Sequence, residues 1–101
     1  MRVIFQQSIN DEENVTLGEI EFSPVPGQPD SFSIQDYVLQ RADRSPLVVS
    51  AAYSLYNHTF SMFVLFEGEH VFTGACHWDL VAPYFAFRLK EGSFIECYFA
   101  K

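Results

Sequence analysis

The chain has 101 residues, 49% of them hydrophobic and 17% aromatic, with 13 acidic residues against 6 basic ones and a net charge of −7. Length sets a single domain, residues 1–101, and the apolar content excludes the disorder that an acidic excess alone would bring. Six scattered basic residues cannot neutralise a nucleic-acid backbone, and an acidic surface repels membrane phosphates and attracts basic proteins.

Arg2 to Ile9 alternates as a first strand, with Val3 and Phe5 on one face and Ile4 on the other. Asn10 to Asn14 is a charged turn, and Val15 to Phe22 is a second strand. Val15 and Leu17 have one parity while Ile20 and Phe22 have the other, so a bulge near Gly18 is needed to bring both pairs to one face. Pro24, Pro26, Gly27 and Pro29 mark a loop over 23–29.

Residues 31–45 carry the pattern of a helix. Ser33 is a suitable N-cap, and Asp36 three positions later completes a capping-box-like pair. Phe32 and Tyr37 fit a hydrophobic staple, while Ile34, Tyr37, Val38 and Arg41 fall on one helical side. Pro46 ends the segment. A strand from Ser31 to Leu39 is the competing reading.

Beyond Pro46 the pattern is a β-meander. Leu47–Tyr56 and Thr59–Glu67 form a hairpin around Asn57-His58, Gly68 marks the next turn, and His70–Cys76 is a further strand. An irregular connection over 77–83 leads to a last hairpin, Tyr84–Lys90 with Ser93–Ala100 around Glu91-Gly92. The expected fold is therefore α+β and mostly β. It is an antiparallel meander of about seven strands, curled as a sandwich or half-barrel with one short helix packed on it.

Residues 45–66 contain no Asp, Glu, Lys or Arg, long enough to ask about a membrane span. Polar residues within the segment and the turn at Tyr56-Asn57-His58-Thr59 make it a hairpin instead. Its second strand is apolar on both faces, with Phe60, Met62, Val64 and Phe66 on one and Phe63 and Leu65 on the other. Such a strand needs cover on both sides. The helix and the N-terminal hairpin are one source of cover, and a second copy of the chain is the other.

Chemistry is sparse. His70, Cys76, His77 and Asp79 lack the close paired spacing of a zinc site, so no metal and no cofactor is expected. Cys76 and Cys97 sit in apolar strands where thiols stay protonated, which fits buried free thiols better than nucleophiles or a disulfide. His58, Glu67 and Glu69 could in principle supply acid–base chemistry, but no basic cluster stands by to hold a phosphate substrate. The chain is not expected to be an enzyme. No basic start precedes an apolar core near the N-terminus, and the expected location is cytoplasmic.

Charge is unevenly placed. Residues 1–30 hold six acids against Arg2, a net of −5. Asp11, Glu12, Glu13, Glu19 and Glu21 are thus the expected contacts to a basic protein partner, with Trp78 and Asp79, in the connection after the fifth strand, as further candidates. Trp78 there is first a plug for the end of the core and second an exposed anchor. The leading functional expectation is an inhibitor that occludes a basic enzyme such as a nuclease toxin, the profile of many immunity proteins. This rests on general appearance, since no motif ties the chain to a family. A homo-oligomeric structural subunit and a small-ligand-binding half-barrel are the alternatives.

Overall fold

The computed structural model describes residues 2–10, 13–41, 44–77, 84–90 and 92–100. These form nine strands in two antiparallel sheets. They are β1 (Arg2–Asn10), β2 (Glu13–Glu21), β3 (Ser23–Val25), β4 (Gln28–Arg41), β5 (Arg44–Ser54), β6 (Thr59–Phe66), β7 (Glu69–His77), β8 (Tyr84–Arg88) and β9 (Phe94–Ala100). One sheet has the order β2-β1-β9-β8 and the other β3-β4-β5-β6-β7. The two sheets do not close into a barrel.

Both sheets supply one core. Val3, Phe5, Ile20, Ile95 and Cys97 come from the first, and Leu39, Leu47, Val49, Phe60, Met62 and Val64 from the second. This is the arrangement of a β-sandwich, in which inward residues alternate with outward ones along each strand. Phe22, the single residue between β2 and β3, is buried, and its ring lies 5.3 Å from Tyr53 and 6.2 Å from Phe60. Phe72 of β7 stacks on Phe87 of β8 at 4.9 Å, joining the sheets at the opposite side.

The bulge near Gly18 is present. Phe5 pairs with Gly18 and Gln6 with Thr16, which leaves Leu17 as the extra residue. Val15 then stands opposite Gln7, in phase with Ile20 opposite Val3. Leu17 packs against the core, whereas Val15 remains 44% exposed.

The helix expected over 31–45 is not found; the described residues hold no helix, and every element they form is a β-strand. β4 runs through that segment. Phe32 and Ile34 pair with Tyr53 and Ala51, then Tyr37 and Leu39 pair with Val49 and Leu47. Two residues, Gln35 and Asp36, therefore face Ser50 alone. Asp36 has φ +50°, and its amide donates to Ser50 Oγ at 3.1 Å. Asp tolerates this left-handed backbone better than most residues. The extra residue of the bulge stretches a period of two into one step of three, so Ile34, Tyr37 and Arg41 imitate a helical stripe. Ser33 and Asp36 cap nothing.

The loop expected over 23–29 also contains strand. β3 is an edge strand, where Pro24 costs no internal ladder bond. Pro26-Gly27 makes the turn to β4, with Gly27 at φ +77° as the third position of a type II turn requires. Nine strands rather than seven follow from these two additions.

From Leu47 onward the expected hairpins are observed but not as one meander: β5, β6 and β7 continue the second sheet, while β8 and β9 pair in the first. Glu67 and Gly68 have φ +51° and +79°, both positive as a two-residue type I′ hairpin demands. Ser45 Oγ donates to Glu67 Oε1 at 2.8 Å across the same end of the sheet. At the other end Thr59 Oγ1 donates to Asn57 Oδ1 at 2.6 Å, and His58 takes φ +54°. No helix among the described residues is long and apolar enough to cross a membrane.

Candidate functional site

β2 is an edge strand, and its acids follow from its period. Glu19 and Glu21 pair with Ile4 and Arg2, opposite in phase to the buried Ile20, so both project from the outward face. Glu13, at the start of the strand, is exposed as well. Three of the expected contact residues thus lie on one edge strand, Glu19 and Glu21 on its outward face and Glu13 at its start in the opposite phase. Asp11, Glu12, Trp78 and Asp79 lie outside the described residues.

One basic group tempers this edge. Arg2 Nη1 lies 3.2 Å from Glu19 Oε2, with both side chains about half exposed. A solvated pair of this kind contributes ~0–1 kcal/mol and is readily exchanged for another partner. Glu21 acts inward too. Burial first, and the Glu21 charge second, raise the Tyr53 phenol above its ordinary value of 10.0.

Beside the acids the two sheets part. A groove of about 490 Å³ runs between the C-terminal half of β2 and the bulged part of β4, with Glu19 and Glu21 on one side and Ile34, Gln35 and Tyr37 on the other. Tyr37, expected on a buried helical stripe, is 39% exposed here. Sequence reasoning missed it as a surface residue because its place depends on the bulge and on the distant approach of β2. The irregular spacing Phe32, Ile34, Tyr37, Leu39 was the available signal.

The acid–base candidates are not brought together. His58 precedes one end of β6, while Glu67 lies in the turn at the other end and Glu69 just after it, eight strand residues away and ~25 Å by strand rise. His70 lies beyond a bulge in β7, opposite Leu65, and its Nε2 hydrogen-bonds Thr73 Oγ1. Among the described residues no three His, Cys, Asp or Glu side chains are grouped to hold a metal ion. Cys97 is a free, buried thiol pushed up to about 12 by burial, so it is protonated at neutral pH and a poor nucleophile.

No family model, curated protein or solved structure matches the chain.

Proposed function

We propose that the chain is a protein-binding module of the inhibitor or immunity type, which takes a basic protein along the β2 edge. The observation that carries this reading is the exposed pair Glu19 and Glu21 on an edge strand beside an open groove, with exposed Glu13 at the far end of the same strand. Carboxylates so placed meet the Lys and Arg side chains that hold phosphate in a nuclease, and the bound module then blocks that site. The groove wall at Ile34 and Tyr37 supplies apolar contact next to the charges, the pairing of anchor and charge from which binding sites are built. A net charge of −7 steers a basic partner into encounter and turns acidic proteins away.

The test uses the full chain as bait at low salt, followed by binding kinetics on the captured protein. A basic protein released as salt rises is expected. The variant Glu13→Gln/Glu19→Gln/Glu21→Gln should associate roughly tenfold more slowly and with a flatter salt dependence. An unchanged on-rate in that variant removes β2 from the mechanism.

A further inference from the structure

The second sheet has an outward face that nothing in the described chain covers. Its middle rows come from β5 and β6. Ala52 lies between Ser33 and Ser61, and Ser50 between the β4 bulge and Phe63, which in turn pairs with Thr73. The outward residues of β5 and β6 in these rows carry no charge. Asp36 sits at the border where β3 has ended, and Glu67 and Glu69 sit in the turn at the far end.

This face holds a hollow and a knob side by side. The hollow measures about 300 Å³ and lies over Ser50, Ala52 and Ser61, where side chains are small. The knob is Phe63, 41% exposed, with its ring against that of His70 at 4.8 Å. An apolar cavity of ~150 Å³ already accepts benzene, so the hollow has room for a phenyl ring.

We propose that this face joins a second copy of the chain in a two-fold dimer, with Phe63 of each copy seated in the hollow of the other. A two-fold interface uses the same patch twice, so it requires a knob and its complementary hole on one surface. Charge limits where two copies can meet. Two copies, each at −7, repel through acidic surfaces, and the uncharged rows of β5 and β6 are where that repulsion is least. Size fits a weak dimer. Four strand spacings of ~4.8 Å and seven or eight residues at ~3.3 Å give a face of ~500 Å² per copy, at the small end for specific interfaces.

The inference does not rest on the β2 reading, and salt separates the two. Binding of a basic partner weakens as salt rises, whereas self-association of like-charged copies strengthens as their repulsion is screened. Sedimentation equilibrium of the full chain, from micromolar to millimolar concentration at low and high salt, is the experiment. The expected result is a monomer–dimer equilibrium that tightens with salt. Phe63→Glu and Ala52→Leu, both at exposed positions, should each weaken it at least tenfold with the melting transition otherwise intact. The triple β2 glutamine variant should dimerise at least as well as the parent. Monomer at every concentration, a dimer that weakens with salt, or a dimer indifferent to both face variants overturns the proposal.

Discussion

Leu39→Ala and Val38→Ala together test whether residues 28–41 are a bulged strand. Leu39 is 1% exposed, pairs with the fully buried Leu47, and places Cδ2 3.4 Å from where a Cβ on Gly18 would stand. Its neighbours are held in two different sheets and cannot collapse freely into a void. Truncation should therefore cost ~3 kcal/mol, within the ~2–5 kcal/mol span for such changes. With an unfolding entropy of ~2 cal/mol/K per residue, a chain of 101 residues loses ~15 °C in Tm for that cost. Val38 is 45% exposed on the opposite side of the strand. Removing its two half-solvated methyl groups should cost under ~1 kcal/mol, at ~0.8 kcal/mol per fully buried methylene. Urea titrations followed by circular dichroism give both values, and an unchanged m-value shows that the same transition is being compared. On a helix the order reverses, because Val38 lies on the apolar stripe and Leu39 off it. A Val38→Ala cost equal to or above that of Leu39→Ala refutes the bulged strand.

Three further outcomes follow from particular sites. Gly68→Ala places a Cβ on a left-handed residue of the β6–β7 turn and should lose ~1 kcal/mol in the same urea assay; no loss would mean that φ is relaxed. Arg41 is buried, donates Nε to the Ser45 carbonyl at 2.9 Å and lies 5.2 Å over the Phe66 ring, so Arg41→Lys should lose ~1 kcal/mol despite keeping its charge, and equal stability would reject the stacking role. Burial lifts the Cys97 thiol from an ordinary 9.0 to about 12, so the native state holds this proton more tightly than the unfolded chain. Its contribution is intact below pH 9 and is lost as pH rises toward 12, at ~1.4 kcal/mol per pH unit in between. Stability measured on either side of pH 9 should fall less steeply in Cys97→Ala than in the parent, and parallel slopes would exclude Cys97 as the source.

Most of the architecture was legible where a strand keeps its period or where a turn needs a particular backbone. Val3 and Phe5 alternate cleanly, the parity break between Leu17 and Ile20 marks the β2 bulge, and Gly68 marks the β6–β7 turn. β4 was not legible for the same physical reason that β2 was. A bulge shifts the phase by one residue, but in β4 it falls between Ile34 and Tyr37, where the shifted pattern coincides with helical spacing. Ser33 and Asp36 then supplied a false capping signal. The acids of β2 were legible as an excess of charge, and their alignment followed once the strand was placed. The groove at Tyr37 was not, because it exists only where β2 and β4 approach without pairing, a relation between segments far apart in sequence.

The two sheets differ in how their strands find each other. From β3 to β7 every strand pairs with its sequence neighbour, so that sheet is built from hairpins whose closure spans few residues. The other sheet is completed only when β9 docks on β1, where Arg2 pairs with Ala100 from the opposite end of the chain. Closing so long a loop is slow, and its entropy must be met before the contacts of β9 reward it. The meander can form from local contacts alone, whereas Phe5 gains its lateral partner Cys97 only when β9 docks. Without β9 that edge of β1 is an unpaired row of backbone donors and acceptors, the kind of edge that invites pairing with a wrong strand.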